Sequence, residues 1–363
     1  MENAKCSVHT LTILMSYNQL RKDYLLDRWV VIATERGRRP TDFAKQQKPQ
    51  QQPTQTSICP MCPGNEHMTP PATLVYLKKG KSITKTKDQN DQRHKNWLLR
   101  VVPNLYPAFT PPKQQENRKN PRKKTGNLVP AFGHHEVIIE SPNHNDHPAD
   151  TTTQQLTYVI NAYKDRLKEL SAKPYVKYVS IFRNHKPEAG ASLSHAHSQI
   201  IATPTVPRTV QEELAASKQQ YKETGKCPFC TIIKQEQKSP RLIHQNKSFT
   251  VFAPYASIYP MEFWIAPNKH QTTLLELSQA ETEILAGTLK ASLAALKQLV
   301  NDPPYNYGIH IAPNKDAKPY YHWHLEVYPK LSIWAGFELS TGMYINTITP
   351  ETAAETMRKT ISP

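Results

Sequence analysis

The sequence predicts an α+β protein built by duplication, mainly antiparallel sheet with helices packed against it. Three observations predict this. Short runs of alternating apolar and polar residues, the period of a half-buried strand, are separated by stretches with helical apolar spacing. The run opened by His195-Ala196-His197 has a second copy in His322-Trp323-His324. Each triplet also follows the same series of elements: a CPxC turn (Cys59 to Cys62, Cys227 to Cys230), then a strand-like run from glutamate to histidine (Glu136 to His144, Glu262 to His270). The spacing agrees closely, with 51 positions from His144 to His195 and 52 from His270 to His322. Two copies of this length mean duplicated domains rather than a solenoid. A chain of 363 residues holds two domains of ordinary size. We place an N-terminal extension at 1–20, a first domain at 21–207 and a second at 208–363.

The elements follow in order. Asp27 to Ala33 reads as a strand, and the Gln- and Pro-rich stretch from Ala44 to Thr56 as a linker-like loop. Asp150 is placed to cap a helix running to about Leu170, with Leu156, Val159, Ile160, Tyr163 and Leu167 on one face. Tyr175 to Phe182 is the next strand and leads through a loop to the His-Ala-His strand. In the second half Ser278 and Glu281 have capping-box spacing. They open a helix carrying Ile284, Leu285, Leu289, Leu293 and Leu296, which stops near Asn301-Asp302-Pro303-Pro304. Tyr305 to Ile311 and His322 to Tyr328 are then strands.

Alternation along a strand puts His195, His197 and Gln199 on one face, with Ile200 and Ala202 on the other. Two imidazoles and a carboxamide side by side suit metal ligation, nucleophilic attack or phosphate binding. Two cysteines at CxxC spacing with two distant histidines form a mixed thiolate and imidazole set that suits tetrahedral zinc. The expected ligands are Cys59, Cys62, His144 and His195 at one site and Cys227, Cys230, His270 and His322 at the other, where iron is an alternative to zinc. Buried turns with free thiols would carry the same cysteines. A single four-cysteine ribbon is disfavoured, because Cys62 and Cys227 are 165 positions apart, against about 15–20 in a ribbon. Cys6 is left over.

The net charge of +16 and pI near 9.5 suit an anionic partner. Much of the excess sits in Lys78 to Lys87 and Lys113 to Lys124, which read as solvated loops, so a phosphorylated small molecule is preferred to nucleic acid. No apolar run approaches a membrane-spanning length. The short apolar run from Val8 to Tyr17 lacks the features of a secretory signal, so a reducing, cytoplasmic setting is expected.

With DRWVVIATERGRRPTDF, CPMCPGNE, VVPNLYPA, ESPNH, GASLSHAHSQ, NDPPYNY and GFELSTGMYIN in this order, the chain resembles the galactose-1-phosphate uridylyltransferase family of the histidine-triad superfamily. The resemblance runs from about Arg21 to Met357. It implies two tandem histidine-triad-like domains forming one extended sheet, assembly as a homodimer, and ping-pong transfer of a nucleoside monophosphate through a covalent nucleotidyl-histidine. His197 matches the family nucleophile and His195 a zinc ligand, while Gln199 and Ser192 match positions that contact the transferred phosphate. Asn184, Asn104 and Asn65 match nucleotide-pocket positions. Arg28, Arg36 and Arg39 match the basic stretch near the phosphates. Phe337, Glu338 and Gly342 are candidates for the sugar end of the partner subunit's site.

The implied reaction moves UMP between UDP-glucose and a hexose 1-phosphate such as galactose 1-phosphate. The alternative is an ADP-glucose phosphorylase, with inorganic phosphate as acceptor. It is suggested by Ala196 and Ala191, which stand where classical uridylyltransferases carry proline and cysteine. A histidine-triad hydrolase is disfavoured by Gln199, where that branch has a third histidine. From another class comes a zinc-stabilised nucleotide-binding module without catalysis. In the second half Glu326 replaces the glutamine, and a carboxylate there would repel phosphate, so His324 is not expected to be a second nucleophile.

Overall fold

The computed structural model describes residues 18–34, 59–80, 82–89, 92–112 and 130–361. Its strands are β1 (Gln19–Lys22), β2 (Trp29–Ile32), β3 (Leu74–Lys79), β4 (Ser82–Thr86), β5 (Trp97–Pro103), β6 (His134–Ile139), β7 (Tyr178–His185) and β8 (His197–Thr203) in the first half. The second half contributes β9 (Leu242–Gln245), β10 (Phe249–Phe252), β11 (Phe263–Pro267), β12 (Tyr305–His310), β13 (His324–Pro329) and β14 (Tyr344–Asn346). The helices are α1 (Thr153–Ser171), α2 (Arg208–Thr224), α3 (Pro228–Glu236), α4 (Gln279–Val300), α5 (Gly336–Thr341) and α6 (Pro350–Ile361).

Eleven strands form one sheet in the order β4-β3-β5-β6-β8-β7-β12-β13-β11-β10-β9. Every pairing in it is antiparallel. Read outward from the centre, β7-β8-β6 on one side corresponds to β12-β13-β11 on the other, so the duplication in the sequence is a duplication in space. The halves join where β7 pairs with β12, with Asn184 opposite Asn306 and Arg183 opposite Tyr307.

The predicted apolar faces are buried together. Leu156, Val159, Ile160, Tyr163 and Leu167 of α1, with Leu285, Leu289, Leu293 and Leu296 of α4, share one core with Ile181, Ile200 and Ala202. Burying a side chain of this kind contributes roughly 1.5–3 kcal/mol, so this shared face holds the two halves as one body. The Ser278–Glu281 capping box forms as expected, and Asn301 ends α4 in the left-handed conformation.

Some local expectations are corrected. Thr152, not Asp150, caps α1, accepting from Gln155 N at 3.1 Å. Asp150 instead pairs with Lys297 of α4 at 2.6 Å, a tertiary contact that cap statistics do not see. Lys78 to Lys87 is not a loop but carries the β3–β4 hairpin at the edge of the sheet. Charged side chains there discourage pairing with another chain. By hydrogen bonding β8 starts at His197 and β13 at His324, two residues later than their triplets. The second CPxC lies on α3, with Cys227 as its N-cap, whereas the first is a turn.

The strand expected at Asp27 to Ala33 is β2. It belongs to a separate small sheet, β1-β2-β14, in which β2 and β14 run parallel. Val30 and Ile32 pack on Ala256, Ile258 and Tyr259, so this N-terminal strand rests on the second half. Cys6, Met1 to Tyr17, Arg36, Arg39, Ala44 to Thr56 and Lys113 to Lys124 lie outside the described residues. Among the described residues no helix is long and apolar enough to cross a membrane.

Candidate active site and metal centres

The turn at Cys59–Cys62, the loop after β6 and the approach to β8 converge to bring Cys59, Cys62, His144 and His195 together, with donor atoms all within 4.8 Å of one another. Cys62 Sγ lies 3.3 Å from His144 Nδ1 and 3.5 Å from His195 Nδ1, and Cys59 Sγ lies 3.7 Å from His195 Nδ1. A tetrahedral ion with about 2.3 Å bonds to sulfur and about 2.0 Å bonds to nitrogen has S···N edges of about 3.5 Å. The outer nitrogens are also committed. His195 Nε2 donates to Ser141 O at 2.9 Å, and His144 Nε2 lies 2.8 Å from Ser194 Oγ. Bonds of this kind orient an imidazole for metal binding and leave Nδ1 as the donor. Burial lowers the pKa of His195 to about 4, which keeps the ring neutral as a ligand must be.

The second set repeats the first. Cys230 Sγ lies 3.2 Å from His270 Nδ1 and 3.5 Å from His322 Nδ1, and Cys227 completes the group. His322 Nε2 donates to Pro267 O at 2.9 Å and His270 Nε2 to Lys318 O at 2.6 Å. Both sets could therefore hold a metal ion.

A third group escaped the sequence reading. Glu213 of α2, His310 of β12, and His324 and Glu326 of β13 also place donor atoms within 4.8 Å. His310 Nδ1 lies 2.8 Å from Glu213 Oε1, and His324 Nε2 lies 3.1 Å from Glu326 Oε1. Two imidazoles and two carboxylates could hold a divalent cation. No spacing rule links Glu213 to His310, since separate elements bring them together through the fold.

On β8, His197 Nδ1 donates to His195 O at 2.7 Å, which fixes the tautomer with the lone pair on Nε2. That nitrogen makes no hydrogen bond among the described residues. Burial holds the His197 pKa below its ordinary value, and the nearby Arg183 guanidinium acts in the same direction. Arg183 is itself buried, donates to His197 O at 2.9 Å and is ion-paired with Glu140. The ring is thus a neutral imidazole at the start of β8 with its Nε2 lone pair free of hydrogen bonds among the described residues. Its counterpart His324 is enclosed: Trp264 stacks on it, with ring centres 4.9 Å apart and planes at 22°, and Glu326 occupies its Nε2. His324 therefore differs from His197 in having its Nε2 engaged within the chain.

The other candidates divide into groups. Gln199 lies beside His197 on β8, and its Oε1 is 2.7 Å from His135 Nε2, a residue the sequence reading did not single out. Asn104 contacts the same ring, with Nδ2 at 3.1 Å. Asn184 Oδ1 accepts from Asn306 Nδ2 at 2.8 Å, and Asn306 also donates to Ala189 O at 2.7 Å, so the second half braces the glycine-rich approach. Ser192 on that approach is exposed. Asn65 Nδ2 donates to Cys59 O at 2.8 Å, and Asn65 lines an open cleft of about 630 Å³ with Cys62 and His144.

The structure does not gather Arg28 with these groups. It pairs with Asp23 at 2.6 Å and lines a cleft of the second half with Glu326, Tyr328 and Tyr344. Phe337, Glu338 and Gly342 lie on or just after α5, Phe337 and Gly342 exposed and Glu338 half-buried. Glu338 accepts from Ala335 N at 3.0 Å and Gly342 ends the helix at φ +68°, so both have helix-end roles within this chain.

The model of the galactose-1-phosphate uridyl transferase N-terminal domain matches residues 10–207. The chain belongs to this family. A domain of unknown function, DUF4921, matches residues 130–362. Among relatives, the ADP-glucose phosphorylase of Arabidopsis thaliana is 37% identical over 94% of this chain and 92% of its own length. The galactose-1-phosphate uridylyltransferase of Thermotoga maritima is 29% identical over 94% of this chain and 98% of its own. A crystal structure of the Arabidopsis thaliana ADP-glucose phosphorylase with bound ADP-glucose superposes with a TM-score of 0.76 at 34% identity, covering 94% of this chain and 99% of that one. A uridylyltransferase structure gives 0.69 at 29% identity, covering 94% and 98%. The α+β architecture predicted from the sequence is therefore the architecture of the family, whose named relatives are nucleotidyltransferases of sugar 1-phosphate chemistry.

Proposed function

We propose that this protein transfers a nucleoside monophosphate from a nucleotide sugar to an acceptor, through a covalent nucleotidyl-histidine at His197. The observation that carries this reading is the state of His197: a buried, neutral imidazole whose Nδ1 proton is held by a backbone carbonyl, leaving the Nε2 lone pair for attack. Attack on the α-phosphorus forms the N–P bond and breaks the P–O bond to the sugar phosphate, which leaves. An acceptor oxygen then attacks the same phosphorus and returns the imidazole. Gln199 offers its amide to a non-bridging oxygen and Ser192 a hydroxyl, and losing one such preorganised donor typically costs roughly 10²–10³ in rate.

Zinc is our assignment for both Cys₂His₂ sets. Four protein ligands leave no open position, so its chemistry would be structural, fixing His195 and with it the start of β8. Asn65, Asn104, Asn184, Arg36 and Arg39 are proposed for the nucleotide and its phosphates, whereas Arg28, paired with Asp23 in a cleft of the second half, is not proposed for this chain's own site. Phe337, Glu338 and Gly342 are proposed for the sugar end of a partner subunit's site in a homodimer. The halves are proposed as domains at 21–207 and 208–363.

Of the two bases, adenine is the better supported, because the 37% identical relative is an ADP-glucose phosphorylase and Ala191 and Ala196 depart from the uridylyltransferase pattern. The acceptor is then inorganic phosphate. The second reading, UMP transfer to a hexose 1-phosphate, is supported by the match to the uridyl transferase domain. The test is exchange of labelled glucose 1-phosphate into the nucleotide sugar without acceptor. A covalent half-reaction allows exchange, and a binding module shows none.

A further inference from the structure

We infer that His135 is a positioning residue that sets which end of the Gln199 amide faces the transferred phosphate; this rests on the reading of His197 and Gln199 given above. His135 lies on β6 and Gln199 on β8, and the register pairs His135 with Ile201 and Gln199 with Val137. The two side chains are therefore diagonal neighbours, a separation long side chains span. The backbone N–H of Ala108 points at His135 Nδ1 at 3.2 Å. A backbone amide can only donate, so in the neutral ring Nδ1 carries the lone pair and Nε2 carries the proton. Nε2–H then donates to the group 2.7 Å away, which must be the Gln199 oxygen.

Asn104 meets the same nitrogen: its Oδ1 accepts from Tyr106 N at 2.8 Å and its Nδ2 lies 3.1 Å from His135 Nε2. One ring nitrogen cannot both donate to Gln199 and accept from Asn104, and the shorter contact, 2.7 Å to the Gln199 oxygen, together with the Ala108 N–H at Nδ1, assigns the proton to the Gln199 bond. The chain of direction runs from a backbone N–H, through one imidazole, to one amide. It leaves the two protons of Gln199 Nε2 unengaged among the described residues.

The consequence is chemical. Rotated by half a turn, the same amide would present its oxygen to the phosphate and repel it. In solution the two orientations of a carboxamide are nearly equal in energy, so an unheld glutamine spends part of its time in the unfavourable one. Holding Oε1 removes that state without touching the substrate. It also explains why nothing in the sequence marks His135, since its partner is 64 positions away and reached only through the β6–β8 register.

The test is a double-mutant cycle read on the single-turnover rate of adduct formation with ADP-glucose and, separately, UDP-glucose. His135→Phe is expected to slow the step about 10-fold or more with little change in donor KM, and His135→Gln, which restores a donor at similar reach, to recover most of the loss. Combined with Gln199→Ala, His135→Phe is expected to add nothing, because the group it positions is gone. His135→Asn, polar but too short to reach, reads the same cycle should the phenylalanine variant not fold. A single-mutant rate within twofold of the parent, or losses that multiply in the double mutant, would overturn the inference. If Gln199→Ala and His197→Ala are themselves without effect, it is the reading of the site that fails instead.

Discussion

His197 donates through Nδ1 to the carbonyl of His195, two residues back, at 2.7 Å. The residue proposed as nucleophile is thus oriented by the backbone of a residue whose own ring belongs to the first Cys₂His₂ set. Loss of a metal held there would be felt at His197 through that carbonyl. Cys62→Ser is expected to remove about one equivalent of bound zinc and to lower adduct formation. Cys230→Ser is expected to remove the other equivalent, with the larger effect on stability. Metal content by elemental analysis, alongside a thermal melt, checks both.

The loop that carries Ser192 is tied to the second half. Asp302 lies 3.1 Å from His185 Nε2 and 2.8 Å from Lys186 Nζ, and Lys186 is held at φ +69°. A non-glycine residue in that region costs of order 1–3 kcal/mol and persists only where its surroundings enforce it. Asp302→Ala is expected to release the loop and lower single-turnover rate about tenfold, while both metals stay bound. Unchanged kinetics would place the loop's order elsewhere.

Asp88 supplies a pH-dependent element of stability. Burial alone would raise its pKa, but donation from the His94 and Ala72 amides and from Arg100 holds it at about 2. Its folded pKa lies below its unfolded value of about 3.9, so its contribution is complete above that pH and lost as pH falls through about 2. Both partners of the Asp88–Arg100 pair are sealed from solvent, at 0% and 1% exposure. Asp88→Asn strands a buried guanidinium and is expected to cost about 3–5 kcal/mol at neutral pH. Denaturant melts at pH 7 and pH 3 check the magnitude, and the difference between variant and parent should narrow at the lower pH.

Gly133 stands where two backbones nearly touch. A Cβ there would meet Ala202 O at 2.0 Å, forcing β6 away from β8. Gly133→Ala is expected to cost about 1–3 kcal/mol. Because the displaced strand carries His135, adduct formation should fall with it. A variant as stable and active as the parent would contradict the tightness of this pairing.

Much of this was legible in the sequence because it is periodic or repeated. The duplicated series of CPxC, glutamate-to-histidine run and HxH revealed two equivalent halves, and matching spacing picked out eight residues that fold into two tight groups. The Ser278–Glu281 capping box and the apolar faces of α1 and α4 follow from local rules. What was not legible depends on register and tertiary approach. His135 meets Gln199 only across β6 and β8, Glu213 meets His310 only because α2 packs against β12, and Thr152 displaces Asp150 as a cap because Lys297 claims the aspartate. The lysines of β3 and β4 looked like loop residues because an exposed edge strand and a solvated loop share a composition.

His197 is proposed to carry the nucleotide. The most direct test is the intact mass of the protein after separate incubation with ADP-glucose and UDP-glucose, without acceptor, beside His197→Ala. The expected result is an added nucleoside monophosphate on the parent chain, AMP in preference to UMP, and none on the variant. No adduct with either donor on a folded, metal-loaded protein, or an adduct that survives in His197→Ala, would contradict it.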